Sequence, residues 1–339
     1  MMSLRFLIKR QRNYKKLFPF FLCVLLVAGV LMLIGKVGVF FSGDSEIKLK
    51  EDTVRVKVWH HETQTLLEMG LEQYVTGVVA AEMPASFALE ALKAQAVAAR
   101  TYAVKRLLVP DPRVKNFNKE ADLSSDPAVN QAWISTAEMM KRWGKWNYSA
   151  NKKKIVQAVE ETRGKVLIYK GQLIDPAYHA SCGGKGTENS GQVWKFDLPY
   201  LKQVSCTGHA DRHQAEALFF SFKKLDTLLG TTLHSLPASK IAQERAILSI
   251  AEKSSSGRVC AATVGGKNFS GAELRTKLEL PSTRFTWQIK EGGVQIETNG
   301  YGHGVGMCQY GAADLAQQGK TYQEILKHYY TGVKMANIK

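Results

Sequence analysis

The sequence predicts an α+β fold: a single extracytoplasmic domain of helices packed on antiparallel strands, preceded by one N-terminal transmembrane helix. Three observations carry that reading. Apolar residues alternate with polar ones in short runs flanked by turn residues, the mark of hairpins. Longer runs between them repeat with helical spacing, the most extended lying between Leu71 and Leu108. Finally, Leu17 to Gly35, LFPFFLCVLLVAGVLMLIG, holds 19 residues without a charge.

Taken in order, residues 1–16 carry Arg5, Lys9, Arg10, Arg12, Lys15 and Lys16 and no acid. This basic tail before the apolar stretch places the N-terminus in the cytoplasm. As a helix, residues 17–35 span roughly 28 Å, near the thickness of a bilayer core. A cleaved signal peptide is the competing reading, but its apolar region is ordinarily shorter and no A-x-A site follows. The expected location is therefore the cell membrane, single-pass, with residues 36–52 as a linker and residues 53–339 outside. The net charge of +16 over 339 residues favours an anionic partner. No nucleic-acid motif accompanies it, so no nucleic-acid partner is expected.

Val54, Val56 and Val58 alternate with Arg55, Lys57 and Trp59 as a strand, and Thr63 to Leu67 read as its return partner. The spacing of Leu71, Tyr74, Val75, Val78 and Val79 predicts a helix that stops at Glu82-Met83-Pro84, because proline disfavours a helical residue before it. Ser86 is the expected N-cap of a second helix, Phe87 to about Leu108, so rich in alanine that it should be buried on more than one side. Its Lys93, Gln95 and Arg100 then need partners or a solvent-filled cleft. The plain structural reading pairs Arg100 with Glu82 or Glu90.

Residues 109–134 read as a long loop containing ADLSSDPAVNQAW. Two helical runs are expected at 134–144 and 151–163, and then two strands around Lys170-Gly171 that empty into SCGGKGTENSG. Residues 215–229 read as a helix, 245–251 and 257–264 as strands, and Ser270 with Glu273 as a capping box. A hairpin at 285–297 leads into NGYGHGVGMCQYG, where Gly300, Gly302, Gly304 and Gly306 alternate around Tyr301, His303 and Val305. That pattern is not a nucleotide-binding loop; it lets another backbone or a ligand approach closely. Thr321 and Glu324 cap a last helix.

Cys23 falls in the membrane segment, leaving Cys182, Cys206, Cys260 and Cys308 outside, where disulfides persist. They read as free or disulfide-bonded thiols, with Cys182–Cys206 the leading of the possible pairs. A zinc site from His179, Cys182, Cys206 and His209 stands as an alternative.

Three blocks carry a family resemblance: AAEMPASFALEALKAQAVAARTYA at 80–103, YHASCGGKGTENSGQVW at 178–194, and GYGHGVGMCQYGAADLAQQGKTYQEILKHYYTG at 300–332. Together they resemble the stage II sporulation protein D family, membrane-anchored lytic transglycosylases of endospore-forming bacteria that act in engulfment. The resemblance implies cleavage of peptidoglycan glycan strands, preferably peptide-free ones, in the space between mother cell and forespore. It also implies stage II sporulation proteins P and M as partners, and no cofactor. The glutamate before Met-Pro, Glu82, would be the catalytic acid. Lys93, Arg100, Gln131, His179, Ser181, His303 and Gln309 match the positions expected along the glycan cleft. Some relatives bind zinc through Cys and His in the stretch where this chain has Ser124, Val129 and Asn130 beside Asp122 and Gln131, so that metal site is not expected. Cys308 stands where serine is common and reads as a small buried residue.

A single glutamate suffices for such chemistry, because the acceptor is the sugar's own C6 hydroxyl and no water needs a second carboxylate. Glu82 must then be protonated near neutral pH, which burial favours and pairing with Arg100 would oppose. Arg100 is accordingly expected to contact substrate or another acid. Two rivals remain: a non-catalytic glycan-binding, amidase-enhancing wall protein, and a metal-dependent hydrolase using His179, Cys182, Cys206 and His209 or His303.

Overall fold

A computed structural model of the chain describes residues 54–194, 196–206, 216–237, 239 and 247–338. The expected membrane segment, the basic tail and His209 lie outside the described residues. Among the described residues no helix is long and apolar enough to cross a membrane.

Strands β1 (Arg55–His60) and β2 (Thr65–Gly70) form the expected antiparallel hairpin, with His60 opposite Thr65. Helix α1 (Leu71–Glu82) follows at once and ends where Met83 turns extended (φ −120°, ψ 141°) ahead of Pro84. Helix α2 (Leu89–Leu108) starts two residues later than expected. The Phe87 N–H bonds the Pro84 carbonyl at 3.0 Å, closing a turn over residues 84–87. Ala88 therefore stands at the N-cap instead of Ser86.

The 109–134 stretch is not all loop: it contains α3 (Pro112–Phe117) and β3 (Leu123–Ser124), which joins β1 in parallel. Helix α4 (Thr136–Glu160) is two helical runs that meet at Gly144 (φ 70°, ψ 164°), so the expected break falls at the end of the first run and the second begins earlier than residue 151. Strands β4 (Lys165–Tyr169) and β5 (Gln172–Leu173) flank the Lys170-Gly171 turn, both with positive φ. Then come β6 (Tyr178–His179) and α5 (Ser190–Val193).

Residues 216–229 depart from the helix expected of them: β7 (Glu216–Ser221) precedes α6 (Phe222–Leu229). Leu218 and Phe220 pack inward while Phe219 is exposed, so the alternation of a strand is hidden by adjacent apolar residues on both faces. Further on lie β8 (Leu248–Lys253), β9 (Val259–Val264), β10 (Lys267–Ser270), α7 (Gly271–Lys277), β11 (Phe285–Lys290) and β12 (Gly293–Thr298). They make two antiparallel sheets, ordered β10-β9-β8 and β11-β12-β7, over a core of their own that includes Phe222, Leu274, Phe285 and Ile296.

The chain then returns. Strand β13 (Met307–Cys308) pairs in parallel with β6, setting Cys308 beside His179, and leads into α8 (Gln309–Gln317), α9 (Tyr322–Tyr329) and β14 (Lys334–Asn337) on β4. Helix α2 is the hub of this half, packed against α1, α4, α8, α9 and β4. Its alanines, buried all round, let five elements approach one axis. The fold is thus α+β as expected, with two parallel pairings, β1–β3 and β6–β13, set among antiparallel sheets.

Candidate active site

Glu82, the last residue of α1, sits where two crossing segments deliver donors to its carboxylate. Ala132 N–H donates to Oε1 at 3.2 Å and Gln309 Nε2 donates to Oε2 at 3.2 Å. The first donor arrives because the chain at 131–134 lies along α1, where Ile134 N–H bonds the Gly77 carbonyl at 3.3 Å. A Cβ on Gly77 would run into the Trp133 indole, so only glycine permits that approach. The second donor stands at the start of α8, and Gln309 also donates to Gln95 Oε1 at 3.4 Å. Burial of the carboxyl group raises the Glu82 pKa above the ordinary value, opposed by the bonds from Gln309 and Ala132, the charge of Arg142 and a bond with Tyr178.

The glutamate opens onto a cleft of about 550 Å³ lined by Tyr102, Arg106, Gln131, Asp175, Tyr178, Trp194 and His303 among others. The cleft's other carboxylate, Asp175, is neutralised by Lys105 at 2.5 Å and Arg106 at 2.6 Å. Tyr178 OH donates to Gln131 Oε1 at 2.9 Å, and burial holds its pKa far above the ordinary range, so it stays a donor. Gln131 in turn donates to Tyr74 OH at 3.3 Å and to the Ala99 carbonyl at 3.4 Å.

The two glycine-rich segments form one wall. Gly300, Gly302, Gly304 and Gly306 all have positive φ. A Cβ on Gly302 would lie 2.8 Å from His179 Cβ, and one on Gly306 would strike the Ala177 carbonyl. The close approach read from the alternating glycines is therefore to residues 177–181 at Gly302 and Gly306, and to the Arg258 guanidinium at Gly304. Ser181 and Tyr301 exchange backbone bonds at 3.1 and 2.9 Å across the same seam. Val305 N–H donates to His303 Nδ1 at 3.1 Å, leaving that ring neutral with its proton on Nε2. Burial first, then Arg258 and Arg275, depress the His303 pKa to about 4. His303 lies 5.3 Å from the Trp194 ring, which stacks on Phe196 at 5.7 Å. This aromatic face suits the flat face of a sugar.

Gln131, His303 and Gln309 thus stand near Glu82. His179 lies one layer behind, its ring 5.6 Å from His303 and its Nδ1 bonded to the Val305 carbonyl at 3.2 Å. Ser181 is buried and accepts from Gly183 N–H at 3.2 Å. Lys93 and Arg100 stand elsewhere. Lys93 Nζ is 2.6 Å from both Glu90 and Glu161. Arg100 is fully buried and grips neither Glu82 nor Glu90 but Glu72, at 2.8 and 2.6 Å, with further bonds to the Lys165 and Val159 carbonyls at 3.2 Å. The expectation of another acid is met, and Glu82 keeps neutral hydrogen-bond donors.

Cys182, Cys206 and Cys308 are buried thiols, not joined as disulfides, whose sulfurs lie within 4.8 Å of one another. Cys182 therefore has two neighbours, and the sequence-based favourite, Cys206, is not its sole one. Each thiol is already bonded: Cys182 Sγ to the Cys206 carbonyl at 3.6 Å, Cys206 Sγ to Tyr329 OH at 3.1 Å, and Cys308 Sγ to the Ala180 carbonyl at 3.7 Å. Burial pushes the Cys308 thiol well above its ordinary pKa, as befits a core residue and not a nucleophile. His179 turns toward Val305 and His303, so among the described residues the three thiols stand together without a histidine.

Sequence reasoning missed Tyr178, Trp194 and Arg142 as site residues. Arg142 Nη1 donates to the Ala80 and Ala81 carbonyls at 2.8 and 3.0 Å, closing the end of α1 beside Glu82. Tyr178 and Trp194 lie inside the quoted second block, so the signal was present; Arg142 lies in a polar helix with none.

Comparison with known proteins finds a family model described as Stage II sporulation protein over residues 60–169. The chain is 37% identical over 298 residues to the stage II sporulation protein D of Bacillus amyloliquefaciens, covering 86% of this chain and 81% of that protein. It is 36% identical over 288 residues to that of Bacillus subtilis (strain 168), with 85% and 80% covered. A further Bacillus subtilis protein, named amidase enhancer, is 31% identical over 309 residues, spanning 77% of this chain and 40% of its own length.

Proposed function

The chain belongs to the stage II sporulation protein D family, and on that premise we propose that it is a membrane-anchored lytic transglycosylase. It cuts peptidoglycan glycan strands between N-acetylmuramic acid and N-acetylglucosamine, preferring peptide-free strands, during engulfment in sporulation. Its anchor would be the apolar stretch 17–35, its site would face the space between mother cell and forespore, and stage II sporulation proteins P and M would be its partners.

One observation carries the reading: the cleft presents a single carboxyl group free of ion pairing, Glu82, raised in pKa by burial and held by neutral donors. Protonated, Glu82 gives its proton to the bridging oxygen as the muramic C1–O bond breaks. The sugar's own C6 hydroxyl then bonds to C1 and returns its proton to Glu82, leaving a 1,6-anhydro end. Between the two steps Glu82 is an anion, and the donors from Ala132 and Gln309 steady it without pairing it permanently. Trp194 and His303 would seat a sugar ring, and Gln131, fixed by Tyr178, would orient its polar edge.

The test is product analysis of peptide-free glycan strands. The wild type should release fragments ending in 1,6-anhydro-muramic acid, and Glu82→Gln should release none. Full activity in Glu82→Gln would remove the proposal. The likeness to the amidase enhancer supports a second reading, a wall protein that holds glycan without cutting it. Tight binding of the strands with no soluble product from the wild type would establish that one instead.

A further inference from the structure

Helix α4 carries a surface that the glycan reading does not use. From Met139 to Val159 the chain holds six cations, Lys141, Arg142, Lys145, Lys152, Lys153 and Lys154, and no acid. Gly144, at φ 70° and ψ 164°, breaks the helix in the middle of this run and makes a corner. Trp143 and Tyr148 close on each other across the kink, ring centroids 6.4 Å apart, with Lys152 Nζ bonded to the Tyr148 hydroxyl at 3.0 Å. Trp146 is left outside that cluster at 96% exposure, and of the chain's six tryptophans it is the exposed one. Met140, 44% exposed, stands on the other side of the corner. The corner itself is held: Ser135 and Glu138 cap the helix start, and Arg142 is bonded to the end of α1.

An indole left 96% exposed gains by being covered, and of the six cations the five lysines form no ion pair among the described residues, which calls for an anionic cover. A protein partner's apolar pocket would suit Trp146 but leaves the cations unanswered. A bilayer surface answers both, since indole settles at the headgroup level and lysines reach phosphates around it. None of these residues lines the Glu82 cleft, which argues against a mere extension of the sugar site.

We infer that the Gly144 corner is a membrane-docking surface, with Trp146 and Met140 entering the interface of an anionic phospholipid bilayer and the flanking lysines on its headgroups. Docking at this corner sets the end of α1, and Glu82 with it, at a fixed orientation to the lipid surface, because Arg142 joins the two.

The experiment uses the full chain with vesicles of phosphatidylcholine, with or without phosphatidylglycerol, whose acyl chains carry shallow bromine atoms that quench tryptophan. The segment 17–35 contains no tryptophan, so its insertion gives no signal, and glycan cleavage plays no part. Quenching should appear in the anionic vesicles, vanish in Trp146→Phe, and be absent without phosphatidylglycerol. Lys145→Gln with Lys153→Gln should lower the docked-to-free ratio roughly 25-fold, each cation near an anionic surface being worth about fivefold. These positions are exposed, so the variants keep the fold. Quenching that persists in Trp146→Phe, or that is equal without phosphatidylglycerol, overturns the assignment. So does a change in Trp146 emission produced by soluble peptide-free glycan alone, which would hand the surface to substrate.

Discussion

Glu82 and His303 face one cleft with displaced protonation equilibria of opposite consequence. Burial raises the Glu82 pKa, so the folded state holds its proton more tightly than the unfolded one. Stability is then full below the unfolded pKa and is lost as pH rises through the folded one. Glu82→Gln should therefore raise the melting temperature near pH 8, with a gain that shrinks toward pH 4, while lowering strand cleavage at least about a hundredfold. A melting temperature unchanged at both pH values would show that the carboxylate carries no burial cost. For His303 the sign reverses. Its pKa falls from 6.5 to about 4, so it stays neutral in the fold while the unfolded chain takes up a proton. Stability is full above 6.5 and declines as pH falls toward 4, by an amount on the order of 3 kcal/mol at the bottom of that window. His303→Asn should flatten the acid limb of a denaturation series run from pH 7 to pH 4. Acid thus favours the protonated Glu82 that cleavage needs and undermines the wall beside it, and the cleavage rate should peak between these limits.

At the level of the elements, Arg100 shows what a helix sequence conveys and what it hides. The alanine pattern of α2 announces burial on all sides, and a buried guanidinium announces an acid; which acid depends on how α1 and α2 cross. Glu72 meets it from 28 positions earlier, while β4 and α4 supply carbonyls. Arg100→Met should cost about 3–5 kcal/mol in a denaturant titration, since it strands the Glu72 carboxylate among buried neighbours. A cost below about 1 kcal/mol would mean that Glu72 escapes to solvent. The same distinction runs through the fold. Hairpins, helix ends at proline and the capping boxes at Ser270 and Thr321 were readable because each is decided within a few residues. The 84–87 turn and β7 were not: one is a backbone bond that displaces the helix start, the other is set by pairing with β12, some 75 residues on. Glu82 was legible through its Met-Pro corner, but Ala132 N–H was not, because its approach depends on Gly77 facing Trp133. Gly77→Ala should push that segment away and lower both stability and cleavage, whereas Gly70→Ala, with nothing near its Cβ, should spare cleavage.

Across the whole molecule, the β-rich half from 216 to 298 meets the half that holds Glu82 at a buried charge pair, and that junction fixes the glycine wall. Arg258, just before β9, donates from Nη1 to Ser282 at 3.1 Å, Thr283 at 3.2 Å and the Gly302 carbonyl at 3.3 Å. Its Nε lies 3.8 Å from Glu188 Oε1, which also accepts from Ser254 at 2.6 Å and from Ser256. Glu188 N–H in turn donates to the Gly304 carbonyl at 2.8 Å, so the loop bearing His303 is bonded on both sides to this pair. Removing one charge leaves its partner buried and unanswered, whereas removing both leaves an apolar gap. Arg258→Met and Glu188→Met should therefore each cost about 3–5 kcal/mol in denaturant, and the double variant less than their sum by about 2 kcal/mol or more. Cleavage should follow a different rule. The double variant regains stability but still lacks the bond to the Gly302 carbonyl, so His303 and Trp194 lose their fixed spacing and the Michaelis constant for glycan stays high. If activity recovered in step with stability, the junction would be holding the fold together without shaping the cleft. If the two single costs simply added, Arg258 and Glu188 would not be coupled through the 3.8 Å that separates them.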